Sequence, residues 1–367
     1  MKKFKGWLLV LAMGLIIGSL AGCGGDKKEE EAGTKAPVAE TKKEGETKAA
    51  EGQEDGAYGF KIGGCAIDMS SPLFVALVNA SEEMAERYGC SIVWKSGEGS
   101  LEKQIDIVEN YIEQGMDVIM IDPLDAEGMA ATIEKAQKAG IKTITMGNYV
   151  KAEGNVSTVY NDVVDVASCV ELMVHMQGED CKLAGIMGTQ GNYSSDRREE
   201  GFLAGCEKFP NVTSIIGYCD YTASVGATAA QDMLAANKDI AGMWIVDDTV
   251  AYAVQEVISS AGLSDNILVM CLCGMDEAVA KVDSGEIFGT NLLGGARLGY
   301  YNTSVAIQMC LGEEFDEIEY FPCPIVVNEE TLKIVQENQI GTDSTWMTPA
   351  DAYKTLELGA TEFLIEE

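Results

Sequence analysis

Residues 61–95 read KIGGCAIDMSSPLFVALVNASEEMAERYGCSIVWK. The run 61–67 is short, apolar and rich in small residues, as a strand buried on both faces requires. Ser71-Pro72 follows, an N-cap residue and a proline at the first helical position. Apolar residues then recur at helical spacing over 73–88, Gly89 stands where the chain leaves the helix, and 91–95 is again β-rich. Strand, helix and strand joined by turns this short specify a parallel pair with the helix as its crossover.

The unit repeats outward from there. Strand-like runs at 117–121 and 142–146 alternate with helical periods over 100–114 and 126–139, which stop at Gly115 and Gly140. That makes four parallel strands. The pattern then recurs: 182–187, 212–218, 242–246 and 267–271 alternate with helices near 197–208, 224–236 and 249–261. Each series predicts a doubly wound α/β lobe, with ligand chemistry at the C-terminal ends of its strands. A length of 367 residues suits two domains, and 40 glycines against 7 prolines suit many strand-to-helix turns.

The amino terminus reads as an export signal. Lys2, Lys3 and Lys5 precede an apolar run from Trp7 to Leu20, too short to cross roughly 30 Å of hydrocarbon as a helix. It ends in Leu20-Ala21-Gly22-Cys23, which resembles a bacterial lipobox, so residues 1–22 are expected to be removed and the Cys23 thiol lipidated. Residues 23–57 are almost wholly Lys, Glu, Gly, Ala and Thr, too polar to bury a core, and read as a flexible tether.

Charge and composition exclude several classes. With 26 basic against 59 acidic residues the formal charge is −33, a field that repels nucleic acid and anionic membrane faces. His175 is the single histidine, which removes His-rich metal sites and leaves one candidate base for a Ser-His-Asp mechanism. Its place late in a helix is explained by the helix dipole. Ten cysteines follow the lipobox, an even number that invites a disulfide reading in an exported protein. They lie in apolar segments such as Val269-Met270-Cys271-Leu272-Cys273, where cysteine packs as a small hydrophobe, so mostly free thiols are expected. No metal and no cofactor are expected: Cys271 and Cys273 share a face without a second pair, and no Walker or dinucleotide glycine motif is present.

Several short segments together resemble the type I periplasmic binding proteins of sugar ABC transporters, the ribose-binding group in particular. They are Ser70-Ser71-Pro72-Leu73-Phe74, Ile121-Asp122-Pro123-Leu124-Asp125, Asn161-Asp162, Arg198-Glu199-Glu200-Gly201-Phe202 and Asp247-Asp248, in that order. The helical repressors share this core but carry a DNA-reading headpiece where this chain has a lipobox and tether. The resemblance implies a clamshell of two lobes joined by three crossovers, near 157–161, 291–294 and 321–324. Residues 58–158 with 293–322 would form the N-terminal lobe and 159–292 with 323–345 the C-terminal lobe. Residues 346–367 lie beyond the family core as a C-terminal extension, with an amphipathic run over 350–364 expected to pack on a lobe edge. It further implies a monomer outside the cytoplasm, lipid-anchored to the membrane, that closes on a small polar solute and docks on an ABC permease.

The resemblance also marks a pocket. Phe74 occupies the position where the family stacks a sugar face. Asp122 and Asp247, at strand ends, offer carboxylates to hydroxyl groups, and Asp68, Asn148, Tyr149 and Tyr193 stand at further strand ends and loops. Three positions depart from ribose binders: a ligand arginine is Asp196 with Arg197 beside it, a Phe-Asp pair is Leu272-Cys273, and a glutamine is Leu293. Ribose itself is therefore a poor expectation, since each lost partner leaves a hydroxyl desolvated at about 1–3 kcal/mol. A carbohydrate or sugar-like solute fits, with a nucleoside or amine-bearing solute as the alternative. A sensory binding protein for a chemoreceptor or kinase is the other role open. Asp122, Asp125, Asp247 and Asp248 could be assembled into a glycosidase acid pair, but none is motif-specific, so an enzyme is not expected.

Overall fold

The computed structural model describes residues 57–365. The signal, Cys23 and the tether up to residue 56 lie outside the described residues. The described chain forms two parallel sheets flanked by helices. The first half runs β1 Lys61–Ala66, α1 Pro72–Arg87, β2 Ser91–Ser96, α2 Leu101–Gln114, β3 Val118–Ile121, α3 Ala126–Lys138, β4 Lys142–Met146 and β5 Asn155–Val159. The second runs α4 Asp162–Gln177, β6 Lys182–Met187, α5 Tyr193–Glu207, β7 Thr213–Tyr218, α6 Ala223–Ala236, β8 Ile240–Ile245, α7 Asp248–Ser260, β9 Leu268–Cys273, α8 Asp276–Ser284 and β10 Gly289–Leu292. The chain then returns through α9 Gly295–Leu311 and β11 Ile318–Tyr320, and ends with β12 Ile325–Val326, α10 Glu329–Asn338, β13 Trp346–Met347, α11 Pro349–Leu358 and a 3-10 turn at Gly359–Phe363.

The first sheet has the order β11-β5-β4-β3-β1-β2, and the second β13-β12-β10-β9-β8-β6-β7. The fold class expected from the sequence is the one found, two doubly wound α/β lobes. The chain passes between sheets three times: after β5, after β10 and after β11. Residues 155–159, read in the sequence partly as a crossover, pair with β4 as a full strand before the chain crosses. Residues such as Ile119, Ile121, Met243 and Ile245 are fully buried, because helices cover both faces of each sheet.

Each lobe has one helix pair packed closer than ordinary side chains permit, and glycine is the reason. A Cβ at Gly299 of α9 would stand 2.3 Å from the carbonyl oxygen of Leu77 in α1. One at Gly201 of α5 would stand 2.7 Å from the carbonyl oxygen of Val163 in α4. The obstructing atoms are backbone and cannot swing aside.

All ten cysteines among the described residues are free, eight of them buried. Burial pushes the thiols of Cys65 and Cys206 up to about 12, so they are inert apolar packing at neutral pH. Among the described residues no helix is long and apolar enough to cross a membrane.

Candidate functional site

The C-terminal ends of β4 and β6 face each other across the two lobes. Asn148, just past β4, takes hydrogen bonds on its Oδ1 from Asn192 Nδ2 at 3.1 Å and from the Ser194 amide at 3.3 Å. Asn148 Nδ2 donates to Asp122 Oδ1 at 3.0 Å. Ser194 Oγ donates to the carbonyl of Gly147. Asn192 also N-caps α5, accepting from the Ser195 amide at 3.2 Å, so the side chain that reaches the other lobe is itself fixed by a helix end. These bonds must break if the lobes separate, so the structure holds the lobes in a closed arrangement.

Behind this seam lies a buried ion pair. Arg198 Nε is 3.0 Å from Asp162 Oδ1, with side chains 5% and 3% exposed. The guanidinium stands over the Tyr160 ring, 5.9 Å from its centroid. Burial pushes the Asp162 carboxyl up and Arg198 opposes it. Burial works against the guanidinium too, but the Asp162 charge outweighs it and Arg198 stays protonated. The Arg198 charge also pulls against the burial that raises Asp122, Tyr160, Tyr221 and Cys273.

The second lobe completes the wall. Asp247 N-caps α7 through Oδ1, from the Thr249 amide at 2.8 Å and the Val250 amide at 3.3 Å, and its Oδ2 faces Cys273 Sγ at 3.3 Å. Cys273 has φ 123°, rare for any residue but glycine. Its carbonyl accepts the amides of Leu293 and Gly294 at 3.1 and 2.8 Å, so the second crossover holds the strained residue in place. Tyr221 closes the side: its ring lies where a Cβ on Gly188 would come within 2.4 Å, and its hydroxyl is 3.4 Å from Asn192 Oδ1.

The remaining expected site residues are placed as follows. Phe74, in the first turn of α1, is half-buried and packs against an apolar cluster that includes Leu77 of its own helix and Leu298 of α9. The rings of Tyr149 and Tyr193 meet across the lobes at 6.1 Å, and the Tyr149 hydroxyl donates to Glu317 at 2.5 Å. Asp68 is exposed and takes the Ser70 amide at 2.7 Å within its own loop. Asp196 accepts from the Gly191 amide at 3.0 Å, and Arg197 turns to Glu200 on the same helix. The structure thus pairs Asp122 with Asn148 and Asp247 with Cys273, brings Tyr149 to Tyr193, and gives Asp68, Asp196 and Arg197 partners within their own segments. Tyr160 and Tyr221 were not anticipated as site residues; both are aromatics just past a strand end, the signal that could have marked them. A cavity of about 660 Å³ lined by Tyr252, Gln255, Lys281, Ile287 and Asn328 lies beside α7 and α8 at the N-terminal ends of β9 and β10, away from this site.

Three buried carboxyls have pKa values pushed up to about 7 by burial: Asp122 in the site, Asp248 beneath it and Asp165 in α4. Each keeps its proton when folded at pH values where the unfolded chain, near the ordinary 3.8, has lost it. Stability from these groups is therefore fully present below the unfolded pKa and is lost as pH rises through the folded one. The ligand-free protein should lose several degrees of melting temperature between about pH 5 and about pH 8, each such carboxyl contributing up to about 2.7 kcal/mol over that range. A melting series over that range checks this; a temperature that is flat or rises with pH would show the carboxyls already ionised.

Two lobes that present polar groups to each other at their strand ends, with a hinge of three crossovers between them, define a bilobal binding protein. The model of the periplasmic binding protein domain matches residues 62–314, and the chain belongs to that family. The chain is 25% identical over 234 residues to the ribose import binding protein of Bacillus subtilis, covering 63% of this chain and 75% of that one. It is also 25% identical over 243 residues to the D-allose-binding periplasmic protein of Escherichia coli, covering 63% and 78%. Among solved structures, an ABC transporter solute-binding protein of Mycobacterium smegmatis with bound glycerol superposes with a TM-score of 0.69 at 26% identity, over 76% of this chain and 96% of that one. The myo-inositol binding protein of Caulobacter, at 17% identity and TM-score 0.69 over 76% and 97%, shares the fold. These relatives are binding proteins and not enzymes, as expected for this chain.

Proposed function

We propose that the protein binds a small polyhydroxylated solute, a sugar or polyol, between its lobes outside the cytoplasm and presents the closed form to an ABC permease, held at the membrane through Cys23. The observation that carries this reading is the cluster in which Asp122 and Asn148 from one lobe meet Asn192, and through it Tyr221, from the other. A solute contacting both halves gains affinity for the closed state alone, and only such differential affinity can drive closure. The named relatives that bind ribose and D-allose support the solute class. The anchor and the permease rest on the lipobox and on the family resemblance.

Ribose is disfavoured within that class. Asp196 faces its own loop, Arg197 is engaged by Glu200, and Leu293 offers an apolar side chain, 2% exposed, in the crossover. A thermal-shift screen of pentoses, hexoses, polyols, nucleosides and small amines tests the reading. A neutral polyhydroxylated solute at about a hundred times its Kd should add about 2.7 kcal/mol and raise the melting temperature, with little or no response to ribose. A best ligand bearing phosphate, or silence from every neutral polyol, would remove the proposal.

A further inference from the structure

Residues 346–365 lie beyond the stretch matched by the family model, and they run from one lobe to the other. The segment starts on the second lobe: β13 pairs in parallel with β12 at the sheet edge, and α11 packs against α8. At Gly359, with φ 53°, the helix stops and the chain turns. The 3-10 turn that follows packs on α9 and α1 of the first lobe, where Ala360 is 4% exposed. The Ile365 amide then donates to the Tyr88 hydroxyl at 2.8 Å.

Midway, the segment meets the hinge. Glu362 holds Arg297 with two parallel bonds, Nε to Oε2 at 2.8 Å and Nη2 to Oε1 at 2.6 Å. The guanidinium side chain is 2% exposed and the carboxylate side chain 17%. The remaining face of Arg297 is turned to the crossovers: Nη1 donates to the carbonyls of Leu292 at 2.8 Å, Leu293 at 3.2 Å and Pro322 at 3.3 Å. Its guanidinium also lies over the rings of Phe321 and Phe363, 4.9 and 5.9 Å from their centroids. Phe363 and Phe321 pack with Tyr301 of α9 at 5.4 and 5.1 Å. One arginine thus binds the second and third crossovers together, and the C-terminal segment supplies its counter-charge and its aromatic cover. A planar bidentate pair fixes orientation as well as charge.

We infer that residues 346–365 act as a strap across the hinge, with Glu362 and Phe363 as positioning residues that hold Arg297 on the two crossovers and so limit how far the lobes open. The strap raises the closed-competent fraction of the free protein, and apparent affinity rises in proportion to that fraction. The inference rests on the two-lobe hinge reading and is independent of which solute binds.

The test uses the ligand-free full-length chain, its Glu362→Gln and Phe363→Ala variants, and a chain ended after Leu358. Small-angle scattering should give a larger radius of gyration for the variants than for the parent. Hydrogen exchange at the amides of Leu292, Leu293 and Gly294 should accelerate about tenfold or more, while the central strands β1 and β6 keep their protection. Glu362→Gln retains shape and carries the test if the shortened chain fails to fold. An unchanged radius and unchanged hinge amides in Glu362→Gln and Phe363→Ala, even with a lowered melting temperature, would make the segment a structural prop and overturn the inference. A negative sugar screen would leave these scattering and exchange results standing, so the two readings fail separately.

Discussion

Replacing Asp162 by Ala is expected to lower the melting temperature by about 5–15 °C, from about 3–5 kcal/mol of lost stability. Asp162 is the ion-pair partner of Arg198, and both side chains are almost wholly out of water. Taking away one partner strands the other's charge in a medium that solvates it poorly, a larger loss than the net worth of the pair. The aromatic face of Tyr160 remains but cannot neutralise the guanidinium. Asp162→Asn, which keeps an acceptor, should lose less. The double change Asp162→Leu with Arg198→Met should recover part of the deficit, because it buries no charge at all. A melting temperature unchanged in Asp162→Ala would show that water reaches the pair and that it does not organise the site.

The alternation of strands and helices was legible because the central strands, such as β3, are buried on both faces while helices such as α2 bury one, so the apolar pattern changes period at the turns. Turn chemistry set several boundaries closely: Ser100 caps α2 and Gly115 ends it in the left-handed region. β5 and β11 were harder, since Asn155–Val159 and Ile318–Tyr320 are short and sit beside a crossover. The extension shows the limit of periodicity. An apolar stripe continues through 350–364, yet the helix stops at Leu358, where Gly359 turns the chain and the residues beyond it pack on Arg297 and the aromatic rings of the other lobe. Gly359 is the local sign of the stop; where the chain goes after it is decided by tertiary contact.

In the candidate site, some residues show their chemistry in their own segment and others are defined only by what they face. Asp122 and Asp247 stand at strand ends, where a carboxylate is conspicuous. Tyr221 depends on a left-handed backbone, φ 54°, that swings its ring back over Gly188. The loop sequence Cys219-Asp220-Tyr221 gives no sign of that return. Asn192 caps α5, and that its amide also crosses to Asn148 follows from the closeness of two lobes, which no local stretch encodes.

Asp122→Asn should move stability and binding in opposite directions. In the ligand-free protein, burial pushes this carboxyl up to about 7, with Asn148 and Arg198 pulling the other way. Near about pH 8 the folded state must carry the ionised form at a penalty of up to about 4 kcal/mol, which an amide does not incur. The variant should therefore melt higher than the parent at about pH 8, and the gap should narrow by about 2.7 kcal/mol toward about pH 5, where the folded parent's Asp122 is protonated. Binding should weaken, because an ionised carboxylate accepts hydroxyl protons in bonds of about 1.5–3 kcal/mol, roughly a 10- to 150-fold change in Kd, and the amide offers a single neutral acceptor. Ligand hydroxyls that favour the ionised form also release a proton, so the parent's affinity should rise from about pH 6 to about pH 8 while the variant's stays flat. Calorimetry in two buffers of different ionisation enthalpy, run beside the melting series, reads both effects. A variant that binds as tightly as the parent, or melts lower at about pH 8, would remove Asp122 from the binding site and leave it a packing residue.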